Sequence, residues 1–157
     1  MKNNFRIVAL DNELFSDYFN LSDKELSKQN ISRMIVDKFP GYPCRVSLTD
    51  VQVGEEVILL NFEHHSANSP YKASGPIFIS KNAQTYKSSI NEIPIMFNRR
   101  FLSIRAYNKN SIMIFADAIK GDYLKEKLNE ILENQEVEYI HIHNARPGCY
   151  NCLVERA

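Results

Sequence analysis

The sequence predicts an α+β domain with a mostly antiparallel sheet. Several short segments alternate apolar and polar residues, as strands with one buried face do, and the clearest pairs are joined by turn residues. Other segments begin with a helix-capping pattern or carry apolar residues at helical spacing. Roughly seven strands and two or three short helices are expected, and a chain of 157 residues suits a single compact domain spanning 1–157.

The N-terminal part is predicted to hold two strands and two short helices. Residues 5–10 suit a first strand, after which Asp11 or Asn12 can cap a short helix. Ser22–Glu25 has the spacing of a capping box, in which the hydroxyl and the carboxylate each bind a free backbone N–H group. The short helix that it starts is expected to lead into a strand over 31–38.

The middle of the chain is predicted to hold a central strand and a long loop. Residues 56–62 are apolar on both faces, as expected for a strand with neighbours on either side. A polar loop over 66–76 follows, and such a long connection in a compact domain is often functional. A strand resumes over 77–79, whereas residues 81–100 give no clear prediction because Pro94 interrupts any regular element.

A hairpin and a helix are predicted next. Residues 102–107 and 112–116 flank a turn at Asn108–Ser111 and should pair as antiparallel strands. Asp122 is the expected N-cap of a helix ending near Asn134, in which one stripe of apolar residues faces the core. The stripe consists of Leu124, Leu128, Ile131 and Leu132.

Residues 139–155 form the most informative segment, because they contain two of the four histidines and two of the three cysteines. They are typical of two strands joined by a Pro-Gly turn. Successive side chains of a strand point to opposite faces, so His141 and His143 share one face.

The hydrophobic pattern favours one register for this hairpin. With an odd-numbered loop, His143 lies opposite Cys149 and His141 opposite Asn151, and Cys152 is buried on the apolar side. An even-numbered loop would instead place Tyr150, Cys152 and Val154 beside the histidines.

Composition restricts the classes of partner. The 19 basic residues balance the 19 acidic ones, so no overall field attracts nucleic acid or an anionic membrane. No apolar run has the length of a membrane span or the pattern of a secretory leader, so we expect a cytoplasmic protein. The three cysteines are then expected to be free thiols or ligands. Nothing in the sequence indicates an oligomeric state.

Several motifs, taken together, resemble the bacterial domain-of-unknown-function 1203 family. They are Gly41–Leu48, Gly54–Glu55, Ser69–Phe78 and His141–Tyr150, with Leu21–Leu26 near the start and Leu102–Tyr107 in a predicted strand. The resemblance extends over the whole chain and implies a compact bacterial protein without an assigned activity. It transfers no catalytic residue, so the candidates below come from side-chain chemistry alone.

A metal site is the sharpest hypothesis. His141 and His143 would direct two imidazoles to one side, and Cys149 could add a thiolate from the neighbouring strand. The fourth ligand of a tetrahedral site would be Cys44, His64 or His65. Zinc or another divalent transition metal suits this donor set. The simpler interpretation is that the histidines form a polar face and hydrogen-bond to backbone or carboxylate groups.

A cysteine nucleophile and an anion site are the other hypotheses. Cys44 precedes Arg45, whose charge could favour a thiolate, and a histidine such as His143 could act as base. The simpler interpretation is a buried structural thiol. Basic residues in or near the motifs could bind an anion, although they are more typical of solvated surface. They are Arg45, Lys72, Arg105 and Arg146, and Arg99 and Arg100 suit a surface position better still.

We therefore expect a polar pocket with walls from 41–45, 63–75 and 141–149. The residues expected to contact a ligand are Arg45, His64, Tyr71, Ser74, Asn144 and Arg146. One function is a small-molecule-binding protein or enzyme, assisted by a metal. The alternative is a non-enzymatic module whose loops are held rigid for a protein partner. A binding or catalytic site requires the histidines to converge in a cleft, whereas an interaction module tolerates separated imidazoles.

Overall fold

Two antiparallel β-sheets organise the chain in the structure, a computed structural model that describes residues 3–157. The strands are β1 Phe5–Val8, β2 Ser32–Ile35, β3 Glu56–His65, β4 Ala73–Ser80, β5 Phe101–Tyr107, β6 Met113–Lys120, β7 Tyr139–Asn144 and β8 Tyr150–Arg156, and the helices are α1 Asp23–Lys28 and α2 Leu124–Ile131. The larger sheet has the order β1-β8-β7-β5-β6, and the smaller has the order β2-β3-β4. The predicted α+β class and the antiparallel pairing are confirmed.

The capping box is confirmed at the start of α1. The Ser22 hydroxyl accepts a hydrogen bond from the Glu25 amide at 3.1 Å, and the Glu25 carboxylate accepts one from the Ser22 amide at 2.8 Å. The helix predicted before it forms two short 3-10 segments instead, Asn12–Leu14 and Ser16–Asn20.

The central strand is longer than predicted. β3 continues to His65, so both histidines of this segment lie within the strand and not in the loop after it. β4 begins at Ala73, which leaves a connection of 66–72 and places Ser74 in a strand. Pro76 fits β4 because this strand is at the edge of its sheet, where a missing N–H group costs no ladder hydrogen bond.

The β5–β6 hairpin is confirmed, as is the burial of the apolar stripe: Leu124, Leu128 and Ile131 lie in α2, and Leu132 is its C-cap. The predicted Asp122 cap is wrong, because Gly121–Tyr123 forms a 3-10 turn and α2 begins without a side-chain cap. Tertiary packing explains the difference. The Gly121 amide donates to the Arg100 carbonyl at 2.8 Å, and a Cβ at this position would lie 1.6 Å from the Phe97 carbonyl oxygen.

Each sheet has its own hydrophobic core. The α2 stripe packs on one face of the five-stranded sheet, against residues such as Ile104, Ile140 and Ile142. The three-stranded sheet packs around Leu26, Val57 and other apolar residues of the second core. The opposite face of β5 and β7 is polar and contacts the end of β3. Within residues 3–157, no helix is long and apolar enough to cross a bilayer.

Candidate functional site

The candidate site lies where the two sheets meet. In β7, Ile140 and Ile142 point into the α2 core, so His141 and His143 point to the other face. β5 continues this face, since Ser103 pairs with His143 and Arg105 pairs with His141. The C-terminal end of β3 brings the remaining histidines against it.

Three of the four histidines converge. The ring centroid of His64 lies 5.0 Å from that of His143 and 6.2 Å from that of His141, and the two β7 rings are 6.3 Å apart. One ligand nitrogen from each ring lies within 4.8 Å of the other two. These three residues are here called the histidine cluster. Their ligand nitrogens are close enough together that all three could bind one metal ion.

Each ring of the cluster has a buried nitrogen that makes no hydrogen bond within the described chain. These atoms are Nδ1 of His64, Nδ1 of His141 and Nε2 of His143. The other nitrogen of His143, Nδ1, lies 2.9 Å from the Gly148 carbonyl oxygen. A carbonyl can only accept, so Nδ1 must carry the proton, and the lone pair of Nε2 is left free for a ligand.

Burial keeps all three imidazoles neutral at physiological pH. Loss of hydration lowers the pKa of His64 to about 4 and the pKa values of His141 and His143 to about 3. The positive charge of Arg105 makes a smaller contribution to each of these decreases. The cluster therefore offers unprotonated nitrogens at neutral pH, as metal binding requires.

Tyr150 holds the cluster from one side. Its ring stacks on His64, with centroids 5.1 Å apart and planes 5° from parallel. It also makes edge contacts with His141 at 5.0 Å and His143 at 5.6 Å. Burial raises the pKa of the Tyr150 phenol, so the group stays neutral. These contacts restrict ring rotation and stabilise the convergent arrangement.

His65 points elsewhere, although the sequence had suggested it as a ligand. Its Nε2 lies 2.6 Å from the Tyr139 hydroxyl, and its Nδ1 lies 2.8 Å from the Tyr71 carbonyl oxygen. Both ring nitrogens are thus engaged with protein groups. His65 packs against the cluster, with its ring 5.0 Å from that of His141.

The predicted register of the C-terminal hairpin is wrong, by two residues at His141 and by one residue at His143. His141 pairs with Leu153, and a bulge then sets Tyr150 opposite His143. The burial of Cys152 in the apolar core is confirmed. The structure places Cys149 away from the histidine cluster, where its Sγ accepts a hydrogen bond from Arg45 Nη2 at 3.0 Å.

Cys44 and Arg45 are both buried. Cys44 has no solvent-exposed surface, and its Sγ atom accepts hydrogen bonds from the amides of Ser47 at 3.5 Å and Ser80 at 3.3 Å. This is the environment of a structural thiol, and the surface gives a substrate no path to it. Arg45 donates to the carbonyls of Pro43 and Tyr150, so its guanidinium links two segments and does not face a ligand.

The single pocket predicted from the sequence is divided into two clefts. The first, here the histidine cleft, has a volume of about 630 Å³, and its lining includes His64, His65, Tyr139 and His141. The second, here the arginine cleft, has a volume of about 390 Å³. It is lined by Gly41, Pro43, Arg99, Arg100, Phe101, Asn144, Arg146 and Pro147.

The predicted ligand-contacting residues are therefore dispersed. His64 lines the histidine cleft, whereas Asn144 and Arg146 line the arginine cleft. Tyr71 and Ser74 are exposed and line neither of them. Arg100 is also not the surface residue expected, since its side chain is only 13% exposed.

Sequence reasoning missed Tyr150 as the residue that packs the cluster. The only available signal was the even-loop alternative for the hairpin, which sets Tyr150 beside the histidines. The sequence also could not show which of His64 and His65 points toward the β7 histidines. A bulge in the β3–β4 ladder between Phe62 and His65 changes the alternation of side chains along the strand.

Comparison with family models shows the family of the chain. The model described as "Protein of unknown function (DUF1203)" matches residues 41–156. These include the motifs at the histidines, the two clefts and the α2 core, whereas the Leu21–Leu26 motif lies outside the match. Comparisons with curated proteins and with solved structures gave no match. The match covers well over half of the chain, and the protein therefore belongs to the DUF1203 family.

Proposed function

We propose that this protein binds a divalent transition metal ion through His64, His141 and His143, and that the ion serves a small molecule in the histidine cleft. One observation carries the proposal. In three histidines, one ligand nitrogen lies within 4.8 Å of the corresponding nitrogens of the other two. Each of the same three histidines has a buried ring nitrogen without a hydrogen-bond partner among the described residues.

The energetics favour a bound ion. A buried polar atom without a partner costs about 1–3 kcal/mol, and an ion bound to a ring nitrogen would remove that cost at each histidine. A zinc ion with tetrahedral bonds of about 2.0–2.1 Å holds its nitrogen ligands about 3.4 Å apart. One nitrogen of each ring already lies within 4.8 Å of the other two, so the nitrogens need to approach one another by no more than about 1.4 Å to reach this spacing.

The ligand set fits an ion that acts on a substrate. Structural zinc sites are usually closed by four protein ligands, whereas catalytic sites keep three and leave one position open. Among the described residues, only His64, His141 and His143 form such a group. Three neutral histidine ligands would leave such an ion its full charge, and the chemistry that it would supply is polarisation of a carbonyl or phosphoryl oxygen or a lowered pKa of bound water.

Arg105 indicates the charge of the remaining ligand. The positive charge of its guanidinium lowers the pKa of all three histidines. The same charge would repel a metal ion bound without an anionic ligand. An anionic fourth ligand, such as hydroxide or an acidic group of the substrate, would interact favourably with both the metal ion and the Arg105 guanidinium. The alternative of an interaction module is less well supported, because it needs no convergence of the imidazoles.

The test is metal analysis of protein purified without a histidine tag. We expect about one zinc or similar ion per chain, and a tetrahedral visible spectrum after replacement by cobalt. His64→Gln should lose the ion. His65→Gln is the matched control and should retain it, because both nitrogens of His65 bind protein groups.

Two results would contradict the proposal. One is a folded wild-type protein that takes up neither zinc nor cobalt at micromolar concentrations. The other is equal metal loss in the two variants, which would show that the cluster geometry does not select the ligands.

A further inference from the structure

We propose that the arginine cleft is a second ligand site, which binds the phosphate group of a small phosphate ester. It shares no lining residue with the histidine cleft, and the inference does not depend on the proposed metal. Three observations carry it: an excess of positive charge, guanidinium groups already held in place, and an exposed aromatic ring in the wall.

The charge of the cleft is unbalanced. Arg99 Nη1 and Arg100 Nη1 each lie 3.0 Å from the same carboxylate oxygen of Asp50, and Arg100 Nη2 contacts the other oxygen. One carboxylate therefore serves two guanidinium groups. Arg146 adds another positive charge, it is exposed, and within residues 3–157 it has no ion pair.

The excess amounts to about two positive charges. None of the residues that line the cleft is acidic, and the Asp50 side chain behind it has no exposed surface. A phosphate monoester carries a charge of about −1.5 to −2 at pH 7, which matches this excess. A single carboxylate would leave about one guanidinium without a counter-charge.

Buried Arg45 adds to the positive potential behind the cleft. It contacts the cleft wall through the Pro43 carbonyl, and among the described residues it has no carboxylate partner. Arg45 also donates a hydrogen bond to the Cys149 sulfur, 3.0 Å away. An anion in the cleft would therefore be stabilised by more than the three lining arginines.

Two of the arginines are held before a ligand arrives. Arg100 is fixed by Asp50 and also donates to the Met96 carbonyl at 2.8 Å. Arg99 is fixed by Asp50 and lies over the Phe39 ring, 5.0 Å from its centroid. Little side-chain entropy then remains to be lost on binding.

The two held arginines also keep donors for a ligand. Nε and Nη2 of Arg99 and Nε of Arg100 make no hydrogen bond with the described residues. The planar guanidinium presents such N–H groups in the geometry that suits phosphate oxygens.

The organic part of the ligand is expected to contact Phe101. This ring lies in the cleft wall and is 44% exposed, so it offers an apolar surface to a ligand in the cleft. A cleft of about 390 Å³ is in the range of small-molecule sites. Phenyl phosphate is therefore a suitable probe, with inorganic phosphate and phenylacetate for comparison.

The test is calorimetric titration of the full chain at low ionic strength. Wild-type protein should bind phenyl phosphate more tightly than phenylacetate. Arg146→Met should weaken binding about tenfold or more, the effect of losing a charged hydrogen bond. Arg6→Met removes the same charge from an exposed position outside the cleft, and should change the affinity less than about twofold.

Two further variants keep the test specific. Phe101→Ala should weaken phenyl phosphate but not inorganic phosphate. His64→Gln should leave both affinities unchanged, which separates this site from phosphate bound to a metal ion. Substitution of Arg99 or Arg100 is avoided, because it would leave the buried Asp50 carboxylate with fewer partners and destabilise the fold.

The following results would overturn the inference: no binding of phenyl phosphate at millimolar concentration, equal weakening by Arg146→Met and Arg6→Met, or loss of binding in His64→Gln. Phenylacetate that binds as tightly as phenyl phosphate would overturn the assignment of a dianionic group. An unchanged affinity of Phe101→Ala for phenyl phosphate would overturn the assignment of the organic part.

Discussion

At the scale of single residues, the three cysteines have three different environments. Cys44 accepts backbone hydrogen bonds in the smaller sheet's core, and Cys149 accepts one from the buried Arg45 guanidinium. Cys152 has no exposed surface and packs among apolar side chains of the larger core. Burial raises the pKa of the Cys152 thiol, so this group remains protonated and behaves as a small hydrophobic residue.

Cys152→Ala should therefore reduce stability and leave the proposed metal site intact. We expect a loss of about 1–2 kcal/mol in the free energy of unfolding, because the sulfur leaves a small cavity. Cys152→Ser should cost more, since its hydroxyl would be buried among Ile140, Ile142 and Val154 without an assured partner. Urea unfolding measures both values, and metal analysis supplies the control. Metal loss in a folded Cys152→Ala protein would contradict this assignment.

At the scale of elements, the C-terminal hairpin shows what the sequence could predict. Strict alternation identified β7 and its two faces correctly, and the apolar set of β8 correctly buried Cys152. The pattern could not fix the register, because a shift of two residues keeps every side chain on its face. The pattern of apolar residues also gives no sign of the bulge that brings Tyr150 opposite His143.

Tertiary contacts account for other differences between prediction and structure. Gly121 is held by the backbone around Phe97 and Arg100, which replaces the expected Asp122 cap with a 3-10 turn. The arginine cleft combines Gly41 and Arg146, which are distant in sequence, with Arg99 and Arg100 from a segment that gave no clear prediction. Local periodicity contains no information on such pairings.

The loop of the C-terminal hairpin gives a prediction for Gly148, with a glycine of β4 as its control. Gly148 has φ +82°, a left-handed conformation that costs other residues about 1–2 kcal/mol, and its carbonyl accepts the hydrogen bond of His143. Gly148→Ala should thus destabilise the fold by about this amount. Gly75→Ala is the control, because its site in β4 is equally open but has no positive φ, and it should be neutral or slightly stabilising. Equal melting temperatures for the two variants would contradict the argument.

At the scale of the whole molecule, the histidine cluster joins the two sheets. His64 comes from β3 of the smaller sheet, and His141 and His143 come from β7 of the larger one. A buried polar cluster between two hydrophobic cores is stable only while its rings are neutral or bound to a ligand. The stability of the molecule should therefore depend on pH through these three residues.

The sign of this dependence follows from the pKa values. Unfolded histidines titrate near pH 6.5, whereas in the folded chain His64 titrates at about 4 and the other two at about 3. Between these limits the unfolded chain binds more protons than the folded one, so the free energy of unfolding falls as pH falls. The stabilising contribution is complete above pH 6.5 and declines by up to about 1.4 kcal/mol per pH unit for each residue.

Metal-free protein should accordingly lose stability between pH 7 and pH 5, a range in which most carboxylates stay ionised. Urea midpoints at pH 7, 6 and 5, with a chelator present, would measure the slope. His141→Gln removes one of the titrating groups, so its stability should decline less steeply than that of the wild type. Equal slopes in the two proteins would show that the buried imidazoles do not govern acid sensitivity. A shallower slope in the variant would show that charging His141 opposes folding of the metal-free protein.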